Sequence, residues 1–165
     1  MREIPLTQGK VALVDDADYE QLVKYRWYAL KSYHTYYAVR NGSRTLGKQS
    51  LILMHRVIMR ALPGQETDHV DGNGLNNRHE NLRLCTTAEN QHNQRKHRGS
   101  SRFKGVWRHT NRQAWEAGIG IDCKKLYLGY FHNEDDAAKA YDRAARELFG
   151  EFACLNFPTT EGSLT

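Results

Sequence analysis

The 165-residue sequence is long enough for one ordinary domain or two small ones, and its 39% hydrophobic content is modest for a single large core, which favours two small units. The net charge of +5 is local: no acidic residue stands between Glu89 and Glu116, a window holding Arg95, Lys96, Arg98, Arg102, Lys104, Arg108 and Arg112, and the rest of the chain is slightly acidic. Cys85, Cys123 and Cys154 are far apart and form no C-x-x-C pair, which excludes a disulfide scaffold or cysteine-rich zinc module; no apolar run nears the roughly 18 to 20 residues of a membrane span, and no signal-peptide core opens the chain, so a soluble protein in the reducing cytoplasm is expected.

In chain order, Lys10 to Val14 alternates weakly and predicts a strand. Asp15, Asp16 and Asp18 supply helix-start chemistry, and Tyr19, Leu22, Val23 and Trp27 recur at helical spacing. Tyr36 to Arg40 predicts a strand entering a turn at Asn41-Gly42. This first third carries no chemical cluster and is expected to be scaffold. The apolar run Leu51 to Met59 is interrupted by His55 and Arg56; its length does not decide between strand and helix, and a short helix is placed there. Pro63-Gly64 ends it.

The stretch Thr67 to Asn93, TDHVDGNGLNNRHENLRLCTTAENQHN, raises the question of why asparagine recurs where it helps neither core nor helix. Glu66 to Val70 and Leu82 to Cys85 form potential antiparallel partners across a loop containing Gly72 and Gly74, and Thr86-Thr87-Ala88-Glu89 reads as a capping box opening a helix that carries Asn90. Strand, loop, strand and helix would bring Asp68, His69 and Asn90 to one end of the hairpin. Asp68 and Asn90 offer hard oxygen ligands suited to Mg²⁺ or Mn²⁺. A neutral His can take a proton from an attacking water, and phosphodiester cleavage needs both a base and a cation. Adjacent residues on a regular strand point to opposite faces, so Asp68 and His69 share a site only where the strand is distorted or ends. Three other readings compete. DGNGLNN alone suits an ordinary loop; an EF-hand counted from Asp71 fails, with Asn76 at its sixth position and Leu82 at its twelfth; and zinc on Cys85, His92 and His97 has an incomplete ligand set.

From His92 to Ser101 the chain is basic and polar, like a helix end running into a linker. Phe103 to Trp107, Trp115 to Ile121 and Leu126 to Phe131 then read as three short strands. A helix follows from the N-cap Asn133, with Glu134, Asp135 and Asp136 in its first turn. Its apolar stripe is Ala137, Ala138, Tyr141, Ala144, Ala145, Leu148 and Phe149, ending at Gly150. An alanine-rich stripe lets the helix lie close against a sheet, leaving the other sheet face open. The basic run interleaved with His97, Phe103, Trp107 and His109 suits a polyanion. Trp115, Phe131 and Tyr141 are assigned to the core.

Asp68-His69, ENLR containing Asn81, and Asn90 on the following helix resemble the HNH endonuclease family, in particular its phage-type and intron-encoded homing members. The resemblance implies a ββα-metal motif with His69 as general base, Asp68 and Asn90 as ligands of one Mg²⁺ or Mn²⁺, and Asn81 pinning the loop and orienting the base. Many members carry His where this chain has Asn90, which is read as a subgroup feature. Met54 to Arg56 and the N-terminal third extend the likeness over about the first hundred residues, with His55 and Arg56 as accessory candidates. Beyond them, FKGVWRH, AWEAGI, YLGYF, DDAAKAYDRAARELFG and LNFP, in this order from Ser101 to Pro158, resemble the AP2 DNA-binding domain. That resemblance implies a three-stranded sheet in the major groove. Lys104, Trp107, His109, Lys125 and Tyr127 would face the DNA and Arg108 and Arg112 nearby phosphates, while core packing remains an alternative for Trp107 and Tyr127. Gly118 and Gly120 replace the Glu and Arg common in plant members, leaving fewer bidentate base readers.

The expectation is an α+β chain with an HNH unit over residues 1–92, a basic linker over 93–101, an AP2-like domain over 102–158 and a tail over 159–165. Arg95, Lys96, Arg98 and Arg102 would track the backbone of double-stranded DNA. The expected activity is metal-dependent DNA cleavage, nicking one strand per active site, by a monomer in a bacterial or phage-infected cytoplasm with no membrane partner. The alternative is a DNA-binding regulator with an inactive HNH fold, whose mark would be loss of Asp68, His69, Asn81 or Asn90; all four are present.

Overall fold

Alternating burial builds the start of the chain: Ala12 and Val14 of β2 (Val11–Val14) turn inward beside Ile4 of β1 (Arg2–Pro5), with which β2 pairs antiparallel. The computed structural model describes residues 1–32, 35–94, 99–111, 113–121 and 124–158. The chain divides into two compact units, Met1–Gln91 and His92–Thr165. In the first, Asp16 and Asp18 lie in the opening turn of α1 (Asp16–Leu22), where carboxylates offset the exposed amide dipoles. The helix stops at Leu22, short of the predicted stripe. Trp27 lies beyond it and its indole N–H donates to the Leu22 carbonyl at 2.8 Å, satisfying an acceptor that the helix end leaves over.

β3 (Tyr28–Lys31), β4 (Tyr36–Thr45) and β5 (Lys48–Leu53) form an antiparallel sheet. The turn expected at Asn41-Gly42 is not there. β4 runs through it with a register irregularity between Asn41 and Arg44, and the chain reverses at Leu46-Gly47, whose φ values of 50° and 77° suit a two-residue hairpin turn. Glycine at 42 serves close packing: a Cβ there would lie 2.5 Å from Ser50 Oγ. The apolar run from Leu51 divides, Leu51 to Leu53 finishing β5 and α2 (Met54–Ile58) following, with Met54, His55 and Ile58 buried.

β6 (Glu66–His69) pairs antiparallel with β8 (Leu82–Cys85), Asp68 opposite Arg83 and His69 opposite Leu82. Between them, β7 (Asn76–Asn77) pairs in parallel with β2, a long-range contact absent from the sequence reading. α3 (Thr87–Asn93) follows β8. The core collects Ile4, Ala12, Val14, Leu22, Trp27, Ala38, Met54, Ile58 and Leu82.

In the second unit β9 (Val106–Arg108), β10 (Trp115–Ile121) and β11 (Lys124–Phe131) form an antiparallel sheet with β10 central. α4 (Glu134–Phe149) packs on it. Asn133 caps α4 by accepting from the Asp136 amide at 2.7 Å, and Gly150 ends it at φ 51°. Val106, Ala117 and Ile119 meet Ala137, Ala138, Tyr141 and Ala145, whereas Leu148 is 45% exposed and drops out of the predicted stripe. Asp142 is buried and accepts from the amides of Asn156 and Phe157, both at 2.8 Å. The Asn156 side chain bonds both the amide and the carbonyl of Lys104, so the segment after α4 is tied to the strand entry. The molecule is thus a mixed α+β protein of small sheets and, among the described residues, four α-helices, none long and apolar enough to cross a membrane.

Candidate active site

His69, the last residue of β6, is 4% exposed and lies among rings from two other elements. Its ring centroid is 4.9 Å from that of His55 on α2, nearly perpendicular, and 5.8 Å from that of Tyr37 on β4. Nε2 lies 3.4 Å from Asn77 Oδ1. That oxygen only accepts, so with the amide placed this way Nε2 carries the proton and Nδ1 is the basic nitrogen. Burial holds His69 below the ordinary imidazole pKa, opposed by the Asn77 bond and by the charges of Asp71 and Asp68; the ring is neutral at pH 7. Burial, then the neighbouring His69 and Arg56, pushes His55 down to about 3. Tyr37 is raised, first by burial and then by Asp68.

Asp68 is buried and paired across the hairpin with its register partner Arg83, whose Nη2 and Nε donate to Oδ2 at 2.7 and 2.9 Å. Glu66, two residues earlier, shares its strand face. Glu66 accepts from Thr87 Oγ1 at 2.9 Å and from the side-chain amide of Asn90, which brings α3 to the face bearing Asp68. The capping box sets this approach: Thr86 donates its amide to Glu89 Oε2 at 2.7 Å and accepts the Glu89 amide at 3.3 Å. With Nδ2 held by Glu66, Oδ1 is the atom of the Asn90 amide that could meet a metal ion. β6 ends at His69, the strand-end condition under which neighbouring Asp and His can serve one site, and the Asp68 charge is felt at His69.

The asparagines answer the question posed by their recurrence. Asn81, 6% exposed, donates from Nδ2 to Asp71 Oδ1 at 3.0 Å and to the Asn76 carbonyl at 2.8 Å, and accepts the Asp71 amide at 3.0 Å. Asp71 also accepts from the Asn73 amide and Asn76 Nδ2. The loop is therefore cross-braced by its own side chains. Gly74 has no room for a Cβ, which would stand 2.6 Å from the Tyr36 carbonyl. From the other side Asp15 accepts the His79 amide at 2.7 Å, and Asp18 lies 2.9 Å from His79 Nε2, joining α1 to the loop.

The sequence reading missed Tyr37, Glu66, Asn77 and Arg83. Arg83 was recoverable from hairpin register, since it stands opposite Asp68; Tyr37 and Asn77 arrive by tertiary packing and had no local signal. Arg56 is held by backbone carbonyls, donating to Gln65 O at 2.5 Å and Leu62 O at 3.1 Å, which closes the turn after α2. Cys85, one of the residues of the zinc alternative, is buried, and its thiol is pushed up to about 11, first by burial and then by the Asp68 and Glu66 charges. His92 stacks on Phe149, ring centroids 3.7 Å apart, and His97 lies outside the described residues.

In the second unit Ala117 and Ile119 of β10 meet α4, so Glu116, Gly118 and Gly120 look the other way. Trp107 and Tyr130 stand opposite Glu116, Tyr127 opposite Gly118 and Lys125 opposite Gly120. The Trp107 indole covers Gly118, where a Cβ would come within 2.8 Å of it, and Lys125 Nζ sits 3.3 Å from the indole centroid. His109 and Tyr127 both pack edge-on against Tyr130, at 5.1 and 5.2 Å. Trp107, His109, Lys125 and Tyr127 thus gather on the face away from the helix, together with Tyr130, which the sequence reading missed.

Lys104 is placed differently from these four. Its Nζ donates to the carbonyls of His92 and Gln94 at 2.6 and 2.7 Å, because the last carbonyls of α3 lack intrahelical donors, and burial lowers its pKa. It is a helix-end tie and not part of the open face. Arg108 is exposed, with its guanidinium 5.9 Å from the Trp115 ring centre. Arg102 pairs with Asp135 at 2.9 Å at the exposed start of α4. Arg95, Lys96, Arg98 and Arg112 lie outside the described residues.

Comparison with known proteins gives two kinds of match. The HNH endonuclease family profile matches residues 53–92, from the end of β5 through most of α3. A protein of Acanthamoeba polyphaga mimivirus named as an HNH endonuclease is 33% identical over 152 residues, 90% of this chain and 76% of that protein. The C-terminal region is similar to an ethylene-responsive transcription factor of Arabidopsis thaliana and an APETALA2-like protein of Oryza sativa subsp. indica, 47% and 48% identical over 62 residues. Those matches span 36% of this chain but 14% of either plant protein, so the likeness is to one module of each. The similarities are thus of two kinds, to HNH endonucleases over most of the chain and to AP2-like proteins over its C-terminal region. The chain belongs to the HNH endonuclease family.

Proposed function

We propose that this protein is a metal-dependent, homing-type DNA endonuclease that nicks one strand of duplex DNA per active site. In this reading β6, the braced loop, β8 and α3 are a ββα-metal nuclease core, and the second unit is an AP2-like domain whose open sheet face holds the duplex. The observation that carries it is a buried, neutral His69 at a strand end, held by Asn77 and set within reach of the Asp68 charge. Among the DNA-facing candidates, Trp107, His109, Lys125 and Tyr127 share one face, while Lys104 does not join them.

His69 acts as general base: Nδ1 takes a proton from the attacking water while Nε2–H stays on Asn77, which fixes the ring. Tyr37 and His55 keep the ring in place and exclude bulk water. Asn81 supports the base indirectly, bracing the loop between the two strands. The donor set of Asp68 and Asn90, one carboxylate and one amide oxygen, suits a hard divalent ion, and Glu66 orients the Asn90 amide so that its oxygen is presented. Such an ion, when bound there, supplies positive charge for the phosphate and leaving oxygen. Arg83 holds Asp68 in its rotamer.

The test is incubation of supercoiled plasmid and phage DNA with the purified protein in Mg²⁺, Mn²⁺ or EDTA, comparing the native chain with His69→Ala. Metal-dependent conversion to open circles, lost in the variant, is expected. Duplex binding without cleavage across a DNA panel that includes its own host and phage genomes would overturn the enzyme reading in favour of a binding-only protein.

A further inference from the structure

α3 carries Asn90, yet it is a weak helix taken by itself. It has seven residues, about 10 Å of axis, and none of them is buried. A helix this short, with no apolar face to pack, is marginal in water because propagation does not recover the cost of its first turn. Asn90 also lies in the last turn, the part of a helix that frays first and whose carbonyls lack intrahelical donors. A metal ligand placed there keeps its position only when both ends of the helix are held from outside.

The start of α3 is held within the first unit, by the Thr86–Glu89 box and by Glu66 on Thr87 and Asn90. Its end is held by the second. The division between the units falls inside the helix, after Gln91, so His92 and Asn93 belong to the second unit. There Lys104 Nζ donates to the carbonyls of His92 and Gln94 at 2.6 and 2.7 Å. An ammonium at this point meets two carbonyls and the negative end of the helix dipole together. The His92 ring also stacks nearly parallel on Phe149 at the end of α4, with 3.7 Å between centroids and 11° between planes. Lys104 is itself pinned: its amide donates to Asn156 Oδ1 at 2.7 Å and its carbonyl accepts from Asn156 Nδ2 at 3.0 Å. Asn156 in turn rests on the buried Asp142. The ammonium thus reaches the helix from a backbone that does not follow it.

We propose that Lys104 is a positioning residue for the nuclease: with the His92–Phe149 stack it closes the last turn of α3 and so keeps Asn90 in place as a metal ligand. The proposal rests on the reading of Asn90 as a ligand of a divalent ion. It gives the second unit a part in the metal site besides holding DNA, and gives Lys104 a task other than the DNA contact that the AP2 resemblance implies.

The test titrates the full chain with Mn²⁺ in the absence of DNA, following the free ion by electron paramagnetic resonance. Binding that Asp68→Asn abolishes marks the site. Lys104→Met keeps the length of the side chain and removes its donors; it is expected to raise the Mn²⁺ Kd of that site by about 10-fold, as loss of an outer support of a metal ligand does. His92→Ala, at a half-buried helix end, should raise it as well, with both units still melting cooperatively in calorimetry. If Lys104→Met loses the melting transition of the second unit, His92→Ala decides alone. In EDTA, Lys104→Met should keep the native slope of log K against log salt on a mixed-sequence duplex. A native Mn²⁺ Kd in the folded variants would overturn the positioning role, and a slope smaller by about 0.9 would then return Lys104 to the phosphate contacts. A native chain that binds no Mn²⁺ at a site sensitive to Asp68→Asn would instead sink the metal-dependent reading, and the positioning role with it.

Discussion

The loop around His69 and the open sheet face of the second unit are both rich in polar and aromatic side chains, yet they use them in opposite ways. Asp68, His69, Asn77 and Asn81 are all buried, each held by a named partner. Tyr127 and Tyr130 are 49% and 44% exposed, and Lys125 lies outermost over Trp107. A group that must move one proton has to be held in one tautomer and orientation, which water would compete for. A face that meets a long polyanion gains from staying wet and charged until the partner arrives. Substitutions in the first region should therefore change rate and stability, and those in the second should change affinity alone.

The sharpest test of that contrast is His69→Ala, expected to slow single-turnover nicking by about 10²- to 10⁴-fold while duplex affinity stays native. Loss of affinity in step with rate would erase the division. Next comes Asn81→Ala, which removes the brace and leaves the Asp71 carboxylate and the Asn76 carbonyl short of a donor. It should cost about 3 kcal/mol in the first unit, read as a fall in its calorimetric melting temperature, with the second unit unaffected.

A smaller effect comes from pH. His55 has a folded pKa of about 3 against the ordinary 6.5, so below 6.5 the unfolded chain takes up a proton that the native state refuses. The stability is complete above 6.5 and falls as pH drops toward 3, by about 2 kcal/mol between pH 8 and pH 5. In urea titrations His55→Phe should flatten that dependence; a slope unchanged by the substitution would count against a neutral, buried His55. Smallest is Lys125→Ala, which removes an exposed cation from the indole face and should weaken duplex binding a few-fold with no shift in melting.

How much of this was readable in advance follows the range of the forces involved. α4 was legible from its cap, its alanine stripe and Gly150 because these signals lie within a few residues of one another. The Thr86–Glu89 box and the β6–β8 pairing were legible for the same reason. The Asn41-Gly42 turn was misplaced, since the same dipeptide also suits a bulge where Gly42 must clear Ser50. The parallel pairing of β7 with β2 joins segments more than sixty residues apart and left no trace in periodicity. For the same reason the motif residues of the candidate site could be named from sequence, but not the rings and amides that hold them. The carbonyl partners of Lys104 were not legible, because charge suggests a polyanion whereas a helix end suits a lysine equally well.

The bond from Asn156 to both backbone groups of Lys104, with Asp142 beneath it, bears on how this unit could be moved between proteins. A recombination junction placed at Gly150, where the last long helix stops, would sever the clasp and strand a buried carboxylate without its amides. The transferable module therefore runs past Asn156. A donor fragment that respects this limit carries its own closure, and one trimmed to the helix arrives open.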